Sequence, residues 1–295
     1  MESKNKIIFF GADSFGVPIF NKLADDVGME VVALATRSPK PAGRGLKPSP
    51  NPMITQARSR NIDHIFAEAS SDWDSIRQII NKEKPQYCVV ASFGKIIPAE
   101  ILNLLPDRFI NVHPSLLPKY RGPSPIETAI LEGEKETGLS FITLNDKMDA
   151  GPIISQFKTT IGNLDAPALE EKLSVLASEK IVSVLDALKC GELTPKDQRE
   201  DQANYTHIIT KQDGLIGGSD SADIIERKFR AYKNWPGTYF QVDDKVFKIS
   251  EGIKKGDVFL IKKIQPESKK AITTHDFTNG YREVLTKLPK FVKII

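Results

Sequence analysis

Short apolar runs alternate with amphipathic stretches along the first two thirds of the chain. Residues 6–10 (KIIFF) form a buried-strand run closed by Gly11, a helical pattern follows over 17–27, and residues 30–36 (EVVALAT) read as the next strand. The stretch SPKPAGRGLKPSPNP at 38–52 has too many prolines and glycines for regular structure. Helices are predicted over 53–60 and 73–84, and strands over 86–92 (QYCVVAS) and 109–113 (FINVH). A helix over 125–132, strands over 138–144 and 153–159, and a long amphipathic helix over 168–188 complete the series. Such alternation implies an α/β fold, a Rossmann-like open parallel sheet with helices on both faces.

The pattern then changes. Residues 189–207 are polar and contain proline, the composition of a linker. Beyond them a helix over 222–232 precedes short alternating runs at 237–242, 245–249 and 257–261, the signature of a small β-barrel of the OB-like kind. The expected organisation is an α/β domain over 1–188, a linker over 189–208 and a β-barrel domain over 209–295.

With 40% hydrophobic and 27% charged residues among 295, the composition is that of a soluble globular protein. No apolar run approaches the roughly 18 residues of a membrane span, and the N-terminus has no signal-peptide pattern. Two distant cysteines, Cys88 and Cys190, lack metal-ligand spacing, so neither a disulfide framework nor a metal is expected and the cytoplasm is the natural compartment. No amphipathic stripe lacks a proposed internal partner, which favours a monomer. The formal net charge of +3 divides unevenly: residues 209–295 carry +6 and the remainder −3. A basic barrel can track a phosphodiester backbone, and lysine-rich turns can equally serve only to keep a small domain soluble.

Candidate chemistry is sparse. Gly11–Gly16 (GADSFG) follows the first strand but lacks the G-x-G-x-x-G spacing, which disfavours a dinucleotide, and no phosphate-binding G-x-x-x-x-G-K-[ST] occurs. Asn111 and His113 stand two apart at the carboxyl end of a predicted strand, hence on one face. An amide and an imidazole there suit a carbonyl oxygen that gains negative charge. Taken alone, the pair reads at least as well as a core histidine beside a turn asparagine. Asp149, in a loop between two strands, could orient the imidazole or be a simple turn residue.

The block NVHPSLLPKYRG (111–122), ETG (136–138) and MDAGPI (148–153), in that order, resembles the 10-formyltetrahydrofolate-dependent formyltransferases. The loop PAGRG (41–45) with PSP (48–50), and the segments RAYKNWPG (230–237) and IQPESKKA (264–271), are similar to the branch acting on methionyl-tRNA. The resemblance spans nearly the whole chain. Departures include a shorter basic loop, Pro123-Ser124 after the Arg-Gly pair, no tryptophan in 214–221 and a trimmed C-terminal domain. These bear on tRNA docking.

The resemblance implies formyl transfer from 10-formyltetrahydrofolate to the α-amino group of methionyl initiator tRNA, without a metal. Asn111 and His113 would face the developing oxyanion, and Asp149 would orient His113 and help remove the amine proton. Ser115, Leu116, Leu117 and Pro118 would line the folate pocket, with Phe93, Gly94 and Ile97 supplying walls and backbone groups. Arg44, flanked by Lys40 and Lys47, would read the acceptor end of tRNA. Formylation of an amino-sugar nucleotide from the same donor, or a catalytically silent RNA-binding relative, are the rival readings.

Overall fold

In the computed structural model, which describes residues 4–39, 41–42, 47–48 and 51–294 (backbone alone at 41–42 and 47–48), the strand β1 (Asn5–Phe10) is covered on both faces. Ile8 and Phe10 enter a cluster with Ala33, Ala35, Trp73, Ile76 and Ile80, while Phe9 turns the other way and meets Phe20 edge to face at 5.4 Å. A strand apolar on both sides needs helices on both sides. They are α1 (Gly16–Asp25), which carries Phe20, and α3 (Ser70–Glu83), which carries Trp73, Ile76 and Ile80.

Between them come β2 (Met29–Thr36), the two-residue strands β3 (Pro41–Ala42) and β4 (Lys47–Pro48), α2 (Pro52–Ser59) and β5 (His64–Phe66). The proline-rich loop therefore contains regular structure after all: Pro41 pairs with Pro48 and Ala42 with Lys47. Helix α2 starts where it does because Asn51 caps it. Its Oδ1 accepts the Met53 N–H at 2.9 Å, and its Nδ2 donates to Thr36 Oγ1 and the Arg37 carbonyl. Pro52 occupies the first turn, where its missing N–H costs nothing.

The chain continues through β6 (Tyr87–Val90), α4 (Ala99–Leu102), β7 (Phe109–His113), α5 (Pro125–Leu131), β8 (Glu136–Thr143), β9 (Ile153–Thr160) and α6 (Ala166–Lys189). Among the described residues seven strands form one sheet in the order β5-β2-β1-β6-β7-β8-β9. Pairing is parallel from β5 to β7 and antiparallel between β7 and β8, so the sheet is mixed where the alternation implied a parallel one. Helix α5, between β7 and β8 in the chain, groups with the second compact unit of the molecule.

The first unit comprises the chain up to Pro123 with Thr137–Thr160 and Glu170–Tyr205; the second comprises Ser124–Glu136, Ile161–Leu169 and Thr206–Ile295. Most of the polar segment after α6 thus packs with the first unit. In the second, α7 (Ala222–Ala231) precedes β10 (Tyr239–Val242), β11 (Lys245–Lys255), β12 (Val258–Pro266), β13 (Ile272–Thr273), α8 (Thr274–Gly280), α9 (Arg282–Leu285) and β14 (Val292–Ile294). Its strands make one sheet, antiparallel except where β14 joins β12 in parallel, over a core of Phe240, Phe247, Phe259 and Phe277. The register of β11 against β12 shifts between Ile249 and Gly252, where a Cβ on Gly252 would fall 2.4 Å from the Phe259 ring. Among the described residues no helix is long and apolar enough to cross a membrane.

Candidate active site

Strand β7 runs from core to chemistry along a single face. Phe109 packs in the apolar cluster 5.8 Å from Phe10, and the next residues on the same side are Asn111 and His113. Parallel pairing with β6 and antiparallel pairing with β8 (Asn111 opposite Ile142, His113 opposite Ser140) fix their positions.

Asp149 is brought to this pair by the loop between β8 and β9. Its Oδ1 lies 3.4 Å from Asn111 Nδ2 and 3.6 Å from His113 Nδ1, and its Oδ2 accepts the Gly122 N–H at 2.8 Å. The residue takes a left-handed conformation (φ 50°), which aspartate tolerates better than most. His113 Nε2 lies 2.9 Å from the Tyr120 carbonyl. That oxygen can only accept, so Nε2 carries a proton and Nδ1 is the nitrogen that faces Asp149. The histidine side chain is only 5% exposed, so water competes little for these contacts.

The segment after His113 is tied down from the neighbouring strands. Ser140 Oγ accepts the Leu117 N–H and donates to the Ser115 carbonyl, and Gln156 Nε2 donates both to Ser140 Oγ and to the Leu117 carbonyl. Gly138, in the Glu-Thr-Gly motif, permits this closeness: a Cβ there would lie 2.1 Å from the Phe157 carbonyl and 2.6 Å from Leu116. Ser115 is fully buried, its hydroxyl donating to the Lys119 carbonyl; Leu117 is buried, and Leu116 and Pro118 are half-buried. Phe93 and Ile97 belong to the apolar core, Phe93 edge to face with Phe10 and Trp73, while Gly94 is exposed with the Arg37 guanidinium against it. A cleft of about 400 Å³ is walled by Leu102, Leu105, Leu144 and Phe109, with Asn103 and Asp146 as polar neighbours. Phe109 stands two residues before Asn111 on the same face of β7; neither Asn111, His113 and Asp149 nor the residues expected to line the folate pocket are in the cleft lining. Arg44 and Lys40 lie outside the described residues, as does the side chain of Lys47.

Several contributors were not read from the sequence. Arg121 is wholly buried and donates to both oxygens of Glu200, to Gln198 Oε1 and to the Tyr205 hydroxyl. This guanidinium holds the Glu200 carboxyl below the usual range. Gln198, Glu200 and Tyr205 sit in the polar stretch expected to be a linker, and one sequence offers no signal that sets them apart. Near the end of β1, Asp13 accepts hydrogen bonds from Ser92 Oγ and the Phe15 N–H, and burial raises its pKa against those contacts.

Residues 5–185 match the formyl transferase family, and residues 208–255 match the formyl transferase C-terminal domain. A methionyl-tRNA formyltransferase of Thermus thermophilus is 33% identical over 299 residues, an alignment covering 94% of this chain and 96% of that one. Another, of Anaplasma marginale, is 36% identical and covers 94% and 97%. The chain belongs to the methionyl-tRNA formyltransferase family. Solved structures share the fold at lower identity. A sugar N-formyltransferase from Shewanella matches with a TM-score of 0.62 at 19% identity, covering 81% of this chain and 94% of that one. HypX from Aquifex aeolicus in complex with tetrahydrofolic acid matches with a TM-score of 0.61 at 14% identity, covering 99% of this chain and 49% of that one. Of the three blocks quoted from the sequence, the first and third supply the gathered polar residues, Asn111 and His113 from one and Asp149 from the other, while Gly138 of the second packs against Phe157 and Leu116.

Proposed function

We propose that this chain transfers the formyl group of 10-formyltetrahydrofolate to the α-amino group of methionyl initiator tRNA. The observation that carries the reading is the convergence of Asn111, His113 and Asp149 at the end of β7, a strand whose Phe109 lines a cleft of small-molecule size. The apolar walls Leu102, Leu105, Phe109 and Leu144 suit a flat ring system, and Asn103 and Asp146 supply polar atoms for its edge.

An α-amino group has a pKa of about 8, so roughly a tenth of it is free base at pH 7 and no strong base is needed to expose its lone pair. As its nitrogen bonds to the formyl carbon, Asn111 Nδ2 and protonated His113 Nδ1 donate to the oxygen that becomes negative. Asp149 stabilises the charged imidazole and accepts the proton that the amine nitrogen sheds. The bond from the formyl carbon to N10 then breaks, and that nitrogen takes a proton as it leaves. Arg44, Lys40 and Lys47 are proposed to meet the acceptor end of the tRNA, and the basic residues of 209–295 its phosphates.

The test is a formylation assay of the purified chain with labelled 10-formyltetrahydrofolate and two acceptors, methionyl initiator tRNA and an amino-sugar nucleotide. Formyl-methionyl-tRNA as the product, at rates that fall as salt rises, is expected. Transfer to the sugar alone, or to neither acceptor, would overturn the reading.

A further inference from the structure

The backbone of the loop that presents Asp149 is bracketed by one side-chain amide. Gln198 Nε2 donates to the backbone carbonyl of Asp149 at 2.7 Å and to that of Gly151 at 2.8 Å, bracketing the left-handed turn on which the carboxylate is mounted. Its Oε1 accepts from Arg121 Nε at 3.0 Å and Nη2 at 2.8 Å. Carbonyls only accept and a guanidinium only donates, so the amide has a single orientation with all four of its hydrogen-bonding positions used.

The other side of this clamp is equally fixed. Arg121 is buried, forms a bidentate pair with Glu200 at 2.9 and 3.1 Å, and meets the Tyr205 hydroxyl at 2.9 Å. The segment carrying Gln198 is anchored before it by reciprocal backbone bonds between Lys196 and Ile153, at 2.7 and 2.8 Å. After it, Asn204 accepts the Tyr120 N–H through its side chain and the Arg121 N–H through its carbonyl. Tyr120 and Arg121 directly precede Gly122, whose N–H binds the Asp149 carboxylate, and the Tyr120 carbonyl binds His113.

We propose that Gln198 is a positioning residue for formyl transfer: it sets the Asp149 carboxylate against His113 and Asn111 by holding the Asp149–Gly151 backbone on the buried Arg121. It acts through Asp149, so the inference rests on the role given to that aspartate above. Two substitutions separate the halves of the clamp. Gln198→Glu keeps acceptors for Arg121 and loses the two donors to the loop; Gln198→Met removes both.

The test is a double-mutant cycle with Asp149→Asn, read as kcat and KM for both substrates in the full-length chain, with thermal melts of every variant. Each Gln198 variant is expected to lower kcat about 10- to 100-fold, the usual effect of moving a reacting group by around an ångström, with both KM values nearly unchanged. In the Asp149→Asn background the same substitutions should cost little more, because the group they position is already gone. If either variant loses its cooperative melt, the other carries the comparison. Full kcat in a folded Gln198 variant, or an equal further loss in the Asp149→Asn background, would overturn the positioning role. Full turnover by Asp149→Asn alone would instead overturn the reading of the site.

Discussion

Gly151 lies so close to Thr143 that a Cβ on it would sit 1.7 Å from the Thr143 carbonyl oxygen. That oxygen belongs to the last residue of β8, so it cannot yield without disturbing the strand that pairs with β7. Gly151→Ala must therefore push the loop outward, and Asp149 with it. A loss of kcat of about 100-fold is expected, with weaker folate binding beside it, because that Cβ would also lie 3.6 Å from Leu144, a wall of the cleft. Steady-state kinetics beside a folate-analogue titration checks this, and wild-type kcat would refute it.

Asn111 and His113 should each contribute as donors to the developing oxyanion. Replacing either by alanine is expected to raise the barrier by about 2.7–4 kcal/mol, seen as a fall in kcat of two to three orders of magnitude. The strand should persist, since its neighbours Ile110 and Val112 stay buried. A variant lacking both side chains that turned over normally would end the assignment.

Asp13 gives a prediction about pH. Burial, its largest influence, raises its pKa, outweighing the hydrogen bonds from Ser92 and Phe15 and the charge of Arg37. The folded chain thus holds this proton more tightly than the unfolded one, and the ionised form costs stability at neutral pH. That cost is present above the folded pKa and disappears as pH falls toward the unfolded value of about 3.9. Burial also raises the pKa of Glu170, and the Asp13 charge adds to the rise. Asp13→Asn should therefore raise the melting temperature at pH 7, with the gain shrinking in melts recorded toward pH 4. A lower melting temperature at pH 7 would contradict this account.

The two thiols should behave differently. Cys88 is fully buried in β6 and its pKa is pushed far up by burial, whereas Cys190 is exposed. A native chain treated with a thiol reagent should consume one equivalent quickly and the second only after denaturation. Rapid modification of both would mean that β6 opens readily.

The sequence was most readable where one physical demand dominates. Residues 7–10 are apolar at every position because β1 is covered on both sides, and Trp73, Ile76 and Ile80 recur at helical spacing because α3 buries one stripe. Asn111 and His113 shared a face by simple alternation. Their convergence with Asp149 depended on long-range folding that no spacing encodes, and only family resemblance joined them. Harder still was the stretch around Gln198. Its polar residues match the composition of a connector, yet their hydrogen-bonding groups are committed to Arg121 and to the Asp149 loop. Composition reports what side chains can do and is silent on what they meet. The same holds for α5, whose own pattern reads correctly as a helix but cannot say which unit it joins.

The burial of Arg121 also bears on how the chain could be shortened. The two family matches end at residue 185 and resume at residue 208, so Gln198, Glu200 and Tyr205 belong to neither. A fragment trimmed to the first match would retain Asn111, His113 and Asp149 but lose the Glu200 partner of Arg121 and the Gln198 amide on the Asp149 and Gly151 carbonyls. Every reacting group would be present, and the clamp on the loop that carries one of them would be gone.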